Sequence, residues 1–325
     1  MERSRLKEAK WQTGKEDGFG KGRASGKRGM RIGSLAAFAL AGAACLVSCG
    51  AGRPKGCQEY TVQLEQYYVE YSEKYDYWDV LTVEYPKLDG IDGETQEGLN
   101  QQMYDMAMDR VNYWHLFPNE DVKRFQEEHY SIFCSDVDCD VTFHSQYLLS
   151  LDYFEFYCAG NPVWMTNGTE RALTVDLLTG EAYGLEDIVE INRDFIETWD
   201  RINSEEEGEE ASDAETLDII WKWFLQEDEE MNEIYECRPF FYVTQDKGLV
   251  IGLSLDPKLE QAVTYEPLTR SVKTYLDAQA LEPYKKESEF WERLEASEEA
   301  GEVIPCADKK ENIWLGEDAG IWQED

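Results

Sequence analysis

Residues 239–255, PFFYVTQDKGLVIGLSL, place two apolar runs on either side of the polar segment QDKG at 245–248. Aromatic and β-branched side chains favour extended backbone, and a short connection that contains glycine can bring two such runs together as an antiparallel pair. This is the clearest hairpin signal in the chain. It commits at least this part of the protein to an antiparallel β-sheet.

Alternating apolar and polar residues predict further strands over 60–71, 78–85, 133–143, 147–157 and 172–177, with an irregularity near Cys139. Turn residues fill 85–94. Apolar residues at steps of three and four predict helices over 99–114, 185–202 and 217–225. A short helix is also predicted over 267–276, and a further helix over 284–300. Strands in runs followed by helices in runs are typical of an α+β fold, an antiparallel β-sheet with packed helices, and not of a parallel α/β fold.

The first 48 residues have the plan of a secretory signal peptide: basic residues, an apolar run of about 17 residues from Ile32, and small residues at its end. Leu46-Val47-Ser48-Cys49 matches the bacterial lipobox, in which the cysteine thiol is acylated. We therefore predict a lipid anchor on Cys49 and a location on the extracytoplasmic face of the bacterial cell membrane. A retained single-pass anchor is the alternative, and Met30 is an alternative start to Met1.

The remaining chain is predicted to consist of a linker over 49–59, a folded α+β domain over 60–276 and an acidic C-terminal extension over 277–325. The extension carries three tryptophans among acidic residues, and we expect it to be loosely attached. Residues 203–215, NSEEEGEEASDAE, are expected to form a solvated acidic loop within the domain.

Charge limits the partners of this chain. The formal net charge is −37, and residues 1–48 contain ten Lys/Arg and four Asp/Glu, which leaves 21 basic and 64 acidic residues, or −43, for the rest. Such a surface repels phosphate backbones, so we predict no nucleic-acid partner. It attracts cationic partners, although a solvated acidic surface that keeps a secreted protein soluble would look the same.

Six cysteines remain when Cys45 in the signal and Cys49 are set aside: Cys57, Cys134, Cys139, Cys158, Cys237 and Cys306. An even number outside the cytoplasm predicts disulfides, for which fifteen connectivities are possible. Buried thiols are the alternative.

Recognisable catalytic motifs are absent from the sequence. It contains no Gly-x-Ser-x-Gly elbow, no P-loop and no Gly-x-Gly-x-x-Gly. The three histidines share no metal-ligand spacing. Asp136, Asp138 and Asp140 resemble the start of a calcium-binding loop but lack its glycine and its late glutamate. We predict no metal, no cofactor and no enzymatic activity; a hydrolase with a site built from distant acids is a third hypothesis.

Five segments in order carry a resemblance to a family: YPKLDG at 85–90, a helix with Asn100, LLSLDYFEFYCAGNP at 148–162, LTVDLLTGEAYGLEDIV at 173–189, and FFYVTQDKGLVIGLSL at 240–255. Together they resemble the extracytoplasmic domain shared by RsiV-type anti-sigma factors and PdaC-type deacetylases. The resemblance covers about 60–276. Asn161 stands where that family usually has histidine, and the deacetylase catalytic domain is absent.

The resemblance implies a binding or sensing module, because RsiV-type members bind lysozyme, a cationic protein. The acidic domain is electrostatically suited to such a ligand. The expected contact residues are Asn161, Trp164 and Met165 in a long loop, and Glu205 and Glu206 in the acidic loop. The alternative is an accessory lipoprotein that binds cell-wall glycan through aromatic and carboxylate side chains.

Overall fold

The computed structural model describes residues 56–71, 79–129, 132–160, 166–228, 235–257 and 271–306. The predicted signal peptide, the lipobox Cys49, and Asn161, Trp164 and Met165 lie outside these ranges. The described part contains ten β-strands and seven α-helices. This composition, with a sheet whose strand pairs are mostly antiparallel, confirms the predicted α+β class.

A seven-stranded sheet forms the first layer, in the order β10-β1-β2-β3-β4-β5-β6. Neighbouring strands are antiparallel except β2 beside β3 and β1 beside β10, which are parallel. The strand bounds are β1 Thr61–Tyr71, β2 Asp79–Asp89, β3 Ile132–His144, β4 Leu148–Gly160, β5 Thr166–Asp176, β6 Ala182–Tyr183 and β10 Glu302–Ile304.

The irregularity predicted near Cys139 lies between Val141 and Phe143 of the same strand. One other detail of this sheet differs from the sequence expectations. Strand β2 continues to Asp89 through the segment expected to be a turn, and Pro86 pairs with Leu64 of β1. Proline provides no N–H to a ladder, so the local pattern favoured a turn; the long partner strand β1 keeps this segment extended.

A three-stranded antiparallel sheet, β7-β8-β9, forms a second layer (β7 Tyr235–Val243, β8 Leu249–Pro257, β9 Ser271–Leu276). Its first two strands confirm the hairpin predicted over 239–255, with Thr244 N–H donating to the Gly248 carbonyl at 3.0 Å. The helix predicted over 267–276 is wrong for 271–276. That segment is β9, because the edge of β8 provides hydrogen-bond partners from Leu249 to Ser254.

Helix α1 (Gly93–Val111) covers one face of the first sheet and continues into a π-helical turn, Asn112–Leu116. The residues of α1 that face the sheet are spaced by three and four and are at most 1% exposed: Leu99, Met103, Ala107, Met108 and Val111. The Asn100 side-chain amide bonds both the N–H (2.7 Å) and the carbonyl (2.9 Å) of Leu88 at the end of β2. These contacts fix the position of α1 relative to the sheet.

The remaining helices are α2 Glu120–His129, α3 Leu185–Ile188, α4 Arg193–Glu207, α5 Ala214–Phe224, α6 Ala278–Leu281 and α7 Glu289–Ala296, and a 3₁₀ turn spans Glu282–Tyr284. Helices α4 and α5 cover the second sheet, where Trp199 is 1% exposed and its indole N–H donates to the Ile251 carbonyl at 2.8 Å. Among the described helices, none is both long and apolar enough to cross a membrane.

The expectation of a loosely attached extension is wrong for residues 277–306. Leu281 and Phe290 are 0% exposed and belong to the same hydrophobic core as Trp199. Strand β10 pairs with β1. This part of the predicted extension therefore completes both layers of the fold.

Candidate functional site

A charged cleft of about 610 Å³ lies between α1, β5 and β7. Its charged lining residues are Asp105 and Asp109 from α1, Arg171 from β5, and Glu236 and Arg238 from β7. The side chains of Gln102 and Gln226 also line it. The volume is within the range of small-molecule and side-chain binding sites.

The register of α1 explains why one of its sides lines the cleft. Met103, Ala107 and Val111 point into the sheet, so Gln102, Asp105 and Asp109, one or two positions away, lie along the flank of the helix. The Gln102 amide donates to the Gly180 carbonyl at 2.9 Å, in the turn after β5. The helix flank is therefore tied to the turn that follows the strand supplying Arg171.

Arg171 lies at the floor of the cleft and is 7% exposed. Its Nη1 donates to Asp109 Oδ2 at 2.6 Å, and its Nη2 donates to Glu155 Oε1 at 2.5 Å. Glu155 is 0% exposed, and its other oxygen accepts from Thr169 Oγ1 at 3.1 Å. A buried carboxylate needs such partners, because transfer of an unpaired charge out of water is very costly.

Arg238 continues the network towards the opening of the cleft. Its Nη2 donates to Glu236 Oε2 at 2.8 Å, and its Nη1 lies 3.7 Å from Asp109 Oδ2. Acidic and basic groups therefore alternate from the buried Glu155 to Glu236 at the rim. Both arginines are engaged by protein carboxylates, and an exposed acid, Asp105, lies beside them. The rim of the cleft is suited to bind cationic groups.

The cleft carries three carboxylates, on Asp105, Asp109 and Glu236. No serine, cysteine or histidine is among the described residues that line the cleft. The polar side chains there accept and donate hydrogen bonds, and Met106, Leu173 and Phe240 add apolar surface. The arrangement can bind and orient a polar or charged group.

A second group of charges joins the two sheets. Lys273 of β9 contacts Asp152 of β4 at 3.4 Å and also pairs with Glu170 of β5, and its Nζ lies 5.4 Å from the centre of the Tyr242 ring. Burial and the negative charge of Glu170 raise the pKa of Asp152 to about 7. Burial alone would lower the pKa of Lys273, but its two carboxylate neighbours outweigh this effect and raise it.

Glu205 and Glu206 are not in a loop, which corrects the expectation for 203–215. Helix α4 continues to Glu207 and ends at Gly208, whose φ of 71° closes the helix. Glu205 accepts from Arg201 at 2.9 Å, and Glu206 accepts from Thr274 of β9 at 2.5 Å. Neither residue lines the cleft, and Glu206 holds α4 on the second sheet.

Asp136, Asp138 and Asp140, which resemble the start of a calcium-binding loop in sequence, lie in a β-strand. The three residues alternate along strand β3, so successive carboxylates on one face are about 7 Å apart. That spacing spreads them beyond the coordination sphere of one ion. Within the described ranges, no group of three His, Cys, Asp or Glu residues could hold a metal ion.

Sequence reasoning did not find Arg171, Asp109 or Arg238. One signal was present: Arg171 shares the alternation of Leu173 and Val175 in β5 and therefore occupies a position that faces the core. An arginine at such a position requires buried acidic partners. Its partners Asp109 and Glu155 lie on other elements, so their identity depends on the tertiary structure.

Comparison with known proteins gives only weak similarities. No family model and no curated protein matches the sequence. Among solved structures, a DUF3298 family member from Bacteroides fragilis NCTC 9343 superposes with a TM-score of 0.47 and 11% identity, over 74% of this chain and 99% of that one. A DUF3298 family protein from Pseudomonas aeruginosa PAO1 gives a TM-score of 0.41 and 10% identity, over 70% and 95% of the two chains. These values assign neither a family nor a function.

Proposed function

We propose that this protein is a non-catalytic binding or sensing module, held on the extracytoplasmic face of a bacterial membrane by lipid on Cys49, whose ligand is a cationic protein of the lysozyme type. The observation that carries the proposal is the net charge of −43 on residues 49–325. Charge of this size raises the rate of encounter with a cationic partner and repels anionic ones.

The charged cleft provides a specific contact for such a ligand. A lysine or arginine side chain that enters it would meet the carboxylates of Asp105 and Glu236 and the amide oxygens of Gln102 and Gln226. Since Arg171 and Arg238 are already paired with Asp109 and Glu236, they would not repel the incoming cation strongly. Each hydrogen bond to a charged group contributes about 1.5–3 kcal/mol.

The test is binding of the purified chain to lysozyme over a series of salt concentrations, with two matched double variants. Asp105→Asn with Glu236→Gln alters the cleft. Glu94→Gln with Glu97→Gln removes the same number of charges from the exposed first turns of α1, where neither residue lines the cleft. Both pairs weaken long-range attraction equally, so only a specific site distinguishes them.

We expect saturable binding that persists at about 0.15 M salt, where the Debye length is about 8 Å. The cleft variant should weaken it about tenfold, which corresponds to about 1.4 kcal/mol, and the control variant should have a much smaller effect. Equal losses in the two variants, or binding that disappears with modest salt, would show charge attraction only. No binding at low salt would reject the lysozyme proposal.

The glycan-binding alternative has less support in the described residues. Sugar sites use exposed aromatic rings, and Phe117, at 68%, is the one exposed ring among the residues whose burial the structure describes. Phe117 does not line the cleft. Binding to cell-wall glycan that changes little with salt, together with no binding to lysozyme, would favour this alternative.

A further inference from the structure

We propose that Cys134 and Cys158 form a disulfide bond between strands β3 and β4. The backbone register of the first sheet places these two residues directly opposite each other. Directly opposed residues of an antiparallel pair have Cα atoms about 4.5–5.5 Å apart and side chains on the same face. Disulfides require Cα atoms about 4.4–6.8 Å apart, so the register meets this requirement.

The other cysteines do not compete for this pairing. Cys57, Cys139, Cys237 and Cys306 carry thiols, which contradicts the expectation that all six cysteines after the lipobox form disulfides. Cys139 shares strand β3 with Cys134 but lies five residues along it, about 17 Å away, which is too far for a bond. Burial raises the pKa of the Cys139 thiol well above its usual range, which suppresses its reactive thiolate form.

The position of the proposed bond links it to the predicted ligand loop. Cys158 is opposite Thr166 of β5 as well as Cys134 of β3. Residues 161–165, which include Asn161 and Trp164, connect β4 to β5. The bond would therefore join β3 to β4 at the base of this connection.

Formation of the bond is a two-electron oxidation. The thiolate of one cysteine attacks a disulfide of the oxidant, which forms a mixed disulfide and releases one half of the oxidant as a thiolate. The thiolate of the second cysteine then attacks the sulfur of the first cysteine and displaces the half of the oxidant that remained bound. Two protons leave the cysteines, and the oxidant disulfide is reduced to two thiols. The co-reactant is a dithiol oxidoreductase in its disulfide form or a small disulfide such as oxidised glutathione.

The experiment is to reduce the purified full chain, incubate it with oxidised glutathione, and block the remaining thiols in denaturant by alkylation. A glutamate-specific protease then cuts after Glu128, Glu155 and Glu170. Fragment 129–155 contains Cys134 and Cys139, and fragment 156–170 contains Cys158. The proposal predicts that mass spectrometry finds these two fragments linked, at the mass of their sum less two hydrogens, and that reduction separates them.

Two variants identify the cysteine in the longer fragment. Cys139→Ser should leave the linked fragments unchanged, and Cys134→Ser should abolish them and leave Cys158 open to alkylation or to a mixed disulfide with glutathione. The proposal is overturned if Cys134 and Cys158 of the unsubstituted chain are both alkylated, if each carries glutathione, or if Cys139→Ser removes the link. None of these readings depends on ligand binding, so they are independent of the proposed function.

Discussion

Replacement of Arg171 by methionine tests whether the floor of the cleft is a buried ion pair. Methionine keeps much of the side-chain length and removes the charge. Glu155, at 0% exposure, then loses its 2.5 Å charged partner and retains the hydrogen bond from the hydroxyl of Thr169. Removal of one partner from a buried pair costs about 3–5 kcal/mol, because the remaining charge is uncompensated. Asp109 adds little to this loss, since Arg238 remains 3.7 Å away.

The assay is urea unfolding followed by tryptophan fluorescence, since urea, unlike guanidinium, does not screen charges. We expect Arg171→Met to lower the free energy of unfolding by about 3–5 kcal/mol. The double variant Arg171→Met with Glu155→Gln should be about as stable as Glu155→Gln alone, which gives a coupling energy of about 3–5 kcal/mol in the double-mutant cycle.

Arg201→Met is the matched control, because Arg201 pairs with Glu205 at the surface, where the two side chains are 53% and 65% exposed. Its expected cost is at most about 1 kcal/mol. The reasoning is refuted if Arg171→Met changes stability by no more than this control, or if the effects of the Arg171 and Glu155 changes simply add.

Three further predictions use the same assay. Burial and Glu170 raise the pKa of Asp152 from 3.8 to about 7, so ionisation of this carboxyl lowers the free energy of unfolding of the wild type as pH rises from about 4 to about 7. Asp152→Asn does not ionise, and its free energy of unfolding should therefore rise relative to that of the wild type by roughly 2–4 kcal/mol over this pH range. A difference between the two proteins that stays constant with pH would contradict this prediction. Gly252→Ala should lower the free energy of unfolding by about 1–3 kcal/mol, because the new Cβ would lie 2.7 Å from the Val272 carbonyl oxygen. Gly98→Ala is the control in α1, where there is open space around the glycine, and it should raise the free energy of unfolding by about 0.5–1 kcal/mol. Equal effects of the two changes would argue against the packing of β8 that the structure shows. A reductant should lower the stability of the oxidised chain by about 3 kcal/mol if the proposed disulfide closes its loop, and no change after confirmed reduction would show that the bond contributes nothing.

Local pattern was sufficient for most of the individual elements. The alternation of apolar residues in β1, β2 and the β7–β8 pair, and the steps of three and four in α1, arise from the geometry of one strand or one helix. A side chain that must face the core repeats every second residue or about every 3.6 residues, so this information lies within a short stretch of sequence. The short helix start at Leu185 was visible for the same reason, with Asp187 accepting from the Gly184 N–H at 2.8 Å.

Local pattern failed where a distant partner decided the conformation. Residues 271–276 pair as a strand because the edge of β8 is next to them. The acidic segment after Ser204 continues α4 because Glu206 bonds Thr274, far along the chain. In both cases the energy that selects the conformation comes from contacts between elements, and this energy outweighs a weak local preference.

The sequence by itself determined the α+β class, the acidic character and the absence of recognisable catalytic motifs, because these follow from composition and from short-range periodicity. Only the tertiary structure decided which charged side chains meet. Arg171, Asp109 and Glu155 come from β5, α1 and β4, and Cys134 faces Cys158 only through the register of β3 on β4. Sheet order and register depend on the burial of many residues at once, and no short stretch of the chain contains that information.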